Sequence, residues 1–373
     1  MAKSSKTNNL NKNSKKIMTI KIVVFLLICA LVGISFLFKT QIEEFINFKY
    51  AGEQASNVID ESGLVVHFID VGQAEAIAIK FPNNKTMLID AGDISNDSRD
   101  KLLGYLKNKF FVDREKVFDY LLITHPDADH VGGAKLIYRD YQVNKTFYPG
   151  DDAGTTDTFK DFVVAMKDEP NSNYEKNEAG KFIEEDEVMI DFYSPINNAI
   201  TFANTNNRSP IMIMSFAGRK IMFTGDARND LEKDVLKKNS DVDFDVDVLK
   251  VAHHGSRTSS CKEFLAAAKP EYAVISCGNG YGHPTEETLE RLKDAGVKDN
   301  CLYRTDKNGN VILSISESGV IAFATDTSTY TTTFIKWEYV APGIIIVSFG
   351  VVFVPQKHTK NKTKTKKASN KKR

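Results

Sequence analysis

Cysteine is scarce, with four in 373 residues. Cys29 lies in an apolar run, and Cys261, Cys277 and Cys301 are an odd trio without metal-site spacing, so no disulfide framework or thiolate cluster is indicated. A phosphate-binding G-x-x-x-x-G-K-[ST] loop is missing. So is a G-x-S-x-G nucleophile elbow, because Gly255-Ser256 follows a histidine pair and lacks that frame. Acidic residues are absent from 1–39, which carry seven lysines, and from 357–373, which carry nine Lys/Arg. Setting those 16 aside leaves 33 basic against 49 acidic residues in 40–356, a net charge of −16 hidden by a formal total of zero. So acidic a body argues against broad electrostatic binding of DNA. There is no internal repeat, and no histidine between His130 and His253. What is present is ordinary for a globular chain: 42% apolar residues supply a sizeable core, in one large domain or two.

The basic ends belong with two apolar stretches. Ile22 to Phe38 is a 17-residue run without charge, flanked by Lys21 and Lys39. It is long enough for a membrane anchor. A cleaved signal would need a small-x-small site, and none lies between Phe36 and Gln41. Leu26-Leu27-Ile28-Cys29 resembles a lipoprotein box only faintly, since Ile28 is bulky and the apolar run continues. The basic flank predicts residues 1–21 in the cytoplasm and the acidic body outside, joined through a polar stalk over 39–62. Residues 340–355, after Trp337 and Tyr339 and before a basic tail over 356–373, fit a second span or a buried or edge strand. The expected location is thus the cell membrane, single- or double-pass, with the body extracytoplasmic.

Within the body, short strands alternate with helices. Strands are expected over 65–70, 76–81 and 86–90, the last two joined by a turn at Pro82-Asn83-Asn84. Helical spacing covers 101–109, a buried strand 120–123, and residues 171–187 read as a polar insertion or loop. Strands over 211–216 and 220–223 flank Ala217-Gly218-Arg219, and 247–251 lead into His253. Then come a strand over 272–276, a helix over 286–294 and a closing strand over 310–315. Polar motifs recur where strands end, which predicts an α/β layered body with one site at one sheet edge.

The densest motif is Thr-His-Pro-Asp-Ala-Asp-His, residues 124–130, directly after the apolar run 120–123. His125, Asp127, Asp129 and His130 are all metal-ligand types, and charges so close repel unless a cation gathers them. Of seven histidines, five fall in three short motifs: this one, His253-His254-Gly255-Ser256, and Gly282-His283-Pro284. His67, on a strand, and His358, in the basic tail, stand apart.

Taken in order, Phe68-Ile69-Asp70-Val71-Gly72-Gln73, Asp90-Ala91-Gly92, the 124–130 motif with Val131-Gly132-Gly133, Phe223-Thr224-Gly225-Asp226, the 253–256 motif, Tyr281-Gly282-His283-Pro284 and Tyr303-Arg304-Thr305-Asp306 resemble the metallo-β-lactamase fold superfamily. Within it they resemble the metallo-β-lactamase-like domain of ComEC-type competence proteins, over about residues 63–325. The resemblance implies a four-layer αββα sandwich with two divalent metals. His125 and Asp127 would bind the first metal, Asp129, His130 and His254 the second, and Asp226 both. Asp129 and His283 would take part in catalysis. Asp90, Gln73, His253, Ser256 and Ser209 would support the ligands or touch substrate.

Three departures matter. Asp127 stands where the superfamily has a second histidine. The histidine expected between His130 and His253 is missing, with Asn207 or Ser209 as candidates for its place. Gln73-Ala74-Glu75 stands where Gln-Gly-Asp is usual. An oxygen-rich first site shifts preference from Zn²⁺ towards Mn²⁺ or Mg²⁺, with Zn²⁺ still accessible. The expected function is therefore an extracytoplasmic metal-dependent phosphodiesterase or DNase. The alternatives are a hydrolase of wall-polymer or lipid-headgroup phosphodiesters, and a non-catalytic binding module. The membrane and a phosphodiester such as DNA are the expected partners, and no protein partner is inferred.

Overall fold

The computed structural model describes residues 2–38, 59–112, 114–170, 173–326, 329–332, 341, 344–345 and 347–349. The chain divides into two compact units, one of residues 1–50 with 334–373 and one of residues 51–333.

In the first unit, Ala2–Ser35 is one helix that tightens into a 3₁₀ turn at Phe36–Phe38. Lys16–Ser35 is long and apolar enough to cross a membrane, with a mean hydropathy of 2.8. The qualifying stretch therefore starts before the expected residue 22, because helical order runs on through the lysines. Leu26, Leu27 and Leu31 are exposed along it. Val32 is buried with Ala341 against Ile28, Ile344 and Ile345, and Phe25 meets Phe349 edge-on at 5.6 Å. The described residues between 340 and 355 are helical, so the strand alternative fails at those positions. Most of the 39–62 stalk and all of the 356–373 tail lie outside the described residues.

The second unit contains two mixed sheets. In chain order the strands are β1 (Leu64–Phe68), β2 (Ile77–Lys80), β3 (Thr86–Ile89), β4 (Val117–Leu122), β5 (Gln142–Tyr148), β6 (Asn173–Lys176), β7 (Phe182–Glu185), β8 (Val188–Phe192), β9 (Met212–Phe216), β10 (Arg219–Phe223), β11 (Val248–Lys250), β12 (Tyr272–Ile275), β13 (Leu302–Arg304), β14 (Val311–Ile315), β15 (Ile321–Thr325) and β16 (Thr329–Thr332). One sheet has the order β16-β15-β14-β1-β2-β3-β4-β5-β6, the other β13-β12-β11-β10-β9-β8-β7.

Each sheet turns parallel in one half: β3 through β6, and β10 through β13. Parallel neighbours need crossovers, and helices supply them. Asn96–Tyr105, Ala134–Asp140 and Asp157–Asp168 serve the first sheet and bury Leu102, Ile137 and Phe162. Asn229–Lys238, Lys262–Ala268 and Glu286–Asp294 serve the second and bury Leu231, Phe264 and Leu292. Aromatic rings fill the space between the sheets. Phe68 stacks on Phe223 at 6.5 Å, Phe147 meets Phe192 at 5.7 Å, and Phe323 packs on Tyr303 at 4.2 Å. This layout sends the C-terminal ends of β3, β4, β10, β11 and β12 to one region, where open α/β sheets hold their sites.

Several sequence expectations need correction. Residues 173–176 and 182–185 are edge strands rather than loop. Their polarity hid them, since edge strands carry charge to deter further pairing. Glu175 in β6 is bridged by Lys145 and Lys181 at 2.8 and 2.7 Å, which pull its carboxyl down to about 2. Glu185 in β7 accepts from Lys85, Tyr120 and Asn83. The helix expected over 101–109 starts at Asn96, where Ser95 Oγ accepts from Ser98 N, and ends in a π turn over Leu106–Phe110. The strand expected to close the domain is followed by β15 and β16.

Candidate metal centre

The site is assembled from strand ends, beginning with a buried carboxylate. Asp90 follows β3 at φ +57°, fully buried. Its Oδ1 accepts from Thr124 N at 2.8 Å, and its Oδ2 from Thr124 Oγ1 at 2.7 Å and His130 Nδ1 at 2.6 Å. The proton of His130 is thereby fixed on Nδ1, and Nε2 turns inward. A metal-binding histidine is held in the same way, by a carboxylate behind it. Replacing Asp90 with Asn removes that charge. Asp90→Asn is expected to weaken metal binding by about 10–100-fold, read by competition with a chromophoric chelator.

His254 is oriented by a second device of the same kind. Its Nδ1 donates to Ser276 O at 2.8 Å, so Nε2 again faces inward. His253 and His254 both have φ +52°. Gly255 makes the turn possible: at φ +82°, an added Cβ would lie 2.4 Å from Pro284. The Nε2 atoms of His130 and His254 lie 3.3 Å apart. With each Nδ1 donating outward, both Nε2 atoms face the same space, where a proton or a metal ion can lie between them.

His125 completes the pattern. Its Nδ1 lies 3.0 Å from Thr124 Oγ1 and 3.4 Å from Ser209 Oγ, and its buried Nε2 makes no hydrogen bond. That Nε2 is 3.7 Å from Asp127 Oδ2 and 3.9 Å from Asp226 Oδ2. Asp226 Oδ1 is also buried without a hydrogen bond, 3.3 Å from His130 Nε2. Asp226 Oδ2 lies 3.7 Å from His254 Nε2, which in turn is 3.5 Å from Asp129 Oδ2. Ligands held at about 2.1 Å in a tetrahedron lie about 3.4 Å apart. Two groups have that spacing: His125, His130 and Asp226, and Asp129, His130 and His254, with ligand atoms within 4.8 Å of one another in each. The orphaned buried atoms of His125 and Asp226 fit a metal held among these groups.

The electrostatics agree. Burial pushes His125 down to about 3, with His130 adding to the effect, so its ring is neutral as a ligand must be. Burial opposes ionisation of Asp226, but His130, His254 and His125 hold its carboxyl well below the usual range. Burial likewise disfavours charge on His130, yet Asp226 and Asp90 raise it well above 6.5. Asp129 is lowered despite burial, by His254 and His130. Without a metal, a proton on His130 offsets the Asp226 and Asp90 carboxylates, and a divalent cation among these groups would take that proton's place.

The other expected residues divide. His253 Nε2 lies 3.6 Å from Asp226 Oδ2, and its ring also meets Asn206 Nδ2 at 3.3 Å. His283 lies against His253 at 5.6 Å between ring centroids and lines the cleft. Gln73 lines it too; its Oε1 accepts from Gly278 N at 3.0 Å, while its buried Nε2 has no acceptor. Ser209 Oγ accepts from Asp226 N at 3.0 Å and touches the outer nitrogen of His125, so it braces the ligands from behind. Asn207 does not take the missing histidine's place. Its amide is engaged by Ile200 O, Asp230 Oδ1 and Arg228 N. Ser256 pairs with Thr258 and braces its own loop, outside the ligand groups.

One pair was not anticipated. Glu75, the lengthened departure from Gln-Gly-Asp, forms a buried ion pair with Lys250 of β11, joining the two sheets beneath the site. Glu75 N also donates to Asp129 O at 3.0 Å. The glycines of His130-Val131-Gly132-Gly133 are explained by crowding, since a Cβ on either would lie 2.3 Å from the backbone of Asp93 or Ala91. The cleft over these groups has a volume of about 900 Å³.

Comparison with known proteins places this architecture. The model of the Metallo-beta-lactamase superfamily matches residues 69–279. ComE operon protein 3 of Bacillus subtilis (strain 168) is 29% identical over 269 residues, covering 66% of this chain and 32% of that protein. Competence protein ComA of Neisseria gonorrhoeae is 28% identical, covering 71% and 34%. The chain thus spans about a third of the length of these relatives. Among solved structures, the metallo-beta-lactamase fold protein YhfI from Bacillus subtilis aligns at a TM-score of 0.44 and 11% identity, covering 70% of this chain and all of that one. The chain belongs to the metallo-β-lactamase superfamily, and its two clustered His/Asp groups make it a metal-dependent hydrolase related to competence proteins.

Proposed function

As a member of that superfamily the chain is, we propose, a membrane-anchored, extracytoplasmic phosphodiesterase acting on DNA. The observation that carries this reading is the carboxylate oxygen around His125. Asp127 Oδ2 and Asp226 Oδ2 lie 3.7 and 3.9 Å from its Nε2, with Ser209 behind, so oxygen ligands are at hand beside the His125, His130 and Asp226 group. Hard oxygen ligands favour Mn²⁺ or Mg²⁺ over Zn²⁺. Similarity to competence proteins supports DNA as the phosphodiester. The apolar helix through Lys16–Ser35, with its basic flank, supports an anchor that leaves the acidic hydrolase domain over 63–325 outside.

In this reading His125 and Asp127 would hold one metal, Asp129, His130 and His254 the other, and Asp226 would serve both. When bound, a divalent pair supplies Lewis acidity and brings the pKa of water towards neutrality. The chain's own groups do the rest. Asp90, Ser276 O and Ser209 hold the ligands in register without moving during turnover. Asp129, held ionised and partly open to the cleft, accepts a hydrogen bond from the attacking water. His283, beside His253 in the cleft lining, is placed to contact the substrate.

A second reading is favoured by charge. The body carries −16, and the cleft lining among the described residues contains Asp93 and Asp97 but no lysine or arginine. A small phosphodiester of a lipid headgroup or wall polymer makes less demand on positive charge than a duplex does. The full chain in detergent, assayed on single- and double-stranded DNA with Mn²⁺, Mg²⁺ or Zn²⁺, separates the two. Mn²⁺-dependent cleavage is expected. Metal binding without cleavage of either DNA contradicts the nuclease reading.

A further inference from the structure

Tyr281 is 88% exposed, and among the described residues its side chain makes no hydrogen bond or ring contact. It nevertheless occupies a position that folding disfavours. His283 N donates to Gly280 O at 3.3 Å, closing a turn whose central residues Tyr281 and Gly282 have φ +55° and +67°. Turns with two positive φ values favour Gly, Asn or Asp, because a bulky residue there crowds its own β-carbon. Such a residue, strained and solvated, is a starting point for a functional hypothesis.

The surroundings give the hypothesis content. Tyr281 lines the same cleft as Asp127, Asp129, His254 and His283. Its loop is anchored to Gln73, which lines the same cleft. Gly278 N donates to Gln73 Oε1, and a Cβ on Gly278 would lie 2.5 Å from Gln73 N. The ring is thus carried on a fixed support. The lining offers no lysine or arginine, so beyond bound metals only neutral donors such as Gln73 and the histidines would meet the substrate's phosphate. A nucleic acid then needs another source of affinity, and stacking of a base on an aromatic face provides one.

A cationic headgroup fits less well. Asp93 is engaged by Ser95 N at 2.8 Å and Asp97 by Lys101 at 3.0 Å, and Tyr281 is one aromatic face rather than a cage. Gln73 Nε2, buried and without an acceptor, offers a hydrogen bond to an oxygen of the same substrate.

Resting on the nuclease reading, we infer that Tyr281 is the platform on which the nucleobase beside the scissile phosphodiester stacks, so that the strand is engaged single. Bases inside a duplex are stacked already and cannot meet it.

The test uses the full chain in detergent with Mn²⁺ and a single-stranded oligonucleotide carrying 5-iododeoxyuridine. Irradiation is expected to crosslink the base to the peptide containing Tyr281, and Tyr281→Phe is expected to keep the stacking. Tyr281→Ala is expected to raise KM about 10-fold. On an abasic oligonucleotide the same substitution is expected to change KM less than two-fold. Cleavage that requires Asp226 but yields no crosslink at Tyr281, or loses equally on both substrates, overturns this inference alone. Loss of glycerophosphocholine hydrolysis in Tyr281→Ala, with oligonucleotide cleavage untouched, overturns it in favour of the headgroup. If the wild-type chain cleaves no oligonucleotide, the nuclease reading falls, and this inference with it.

Discussion

Asp226→Asn is expected to abolish hydrolysis by roughly 10³-fold or more while leaving the fold intact. Metal-ion catalysis supplies several kcal/mol of transition-state stabilisation, and each 1.4 kcal/mol is tenfold in rate. Among the described residues, Asp226 has oxygens facing both ligand groups: Oδ1 towards His130, and Oδ2 towards His125, His253 and His254. Asparagine has the same shape, and its backbone N–H still donates to Ser209 Oγ. What it removes is the negative charge, which is the part that binds cations. The expected readings are loss of at least one bound Mn²⁺ by elemental analysis, a melting temperature of the metal-free chain within a few degrees of wild type, and turnover at background. Activity within tenfold of wild type would show that Asp226 does not organise the site.

The largest effect on stability is expected at Lys250 and Glu75. Their side chains are fully buried, Glu75 in the connection before β2 and Lys250 on β11, and Lys250 Nζ donates to Val251 O at 3.1 Å besides. Removing one partner of such a pair leaves an uncompensated charge away from water, at a cost of about 3–5 kcal/mol. Lys250→Met alone should therefore lower the denaturation midpoint sharply. Lys250→Met with Glu75→Gln should recover most of the loss, because no buried charge remains. Glu75 is also tied to Asp129 through its backbone, so the single variant should bind metal more weakly. A double variant no better than Lys250→Met would mean that the pair contributes packing rather than charge balance.

Which parts of this were legible in the sequence follows from range. The candidate cluster was readable because much of it is local. His125, Asp127, Asp129 and His130 share six residues, and Asp226 and His254 each end an apolar strand. The interior strands were readable by composition, being apolar runs between turn residues. β6 and β7 were not, since edge strands draw their order from backbone pairing and keep polar side chains. The Glu75–Lys250 pair spans 175 positions, and nothing in local spacing announces it. Ser209 was suspected as a ligand because a histidine was missing. Its actual place behind His125 depends on how the Thr205–Arg208 turn meets β10, which only the assembled fold decides. Asp90 was expected as a buried support only through the family resemblance, and the structure places its carboxylate against Thr124 and His130.

The central claim is that this chain binds two divalent metals with these six side chains. The most direct measurement is anomalous scattering from Mn²⁺-loaded crystals of the full chain. Two peaks are expected, one beside His125, Asp127 and Asp226 and one beside Asp129, His130 and His254. Absence of both peaks at saturating Mn²⁺, or peaks at other residues, would contradict the account.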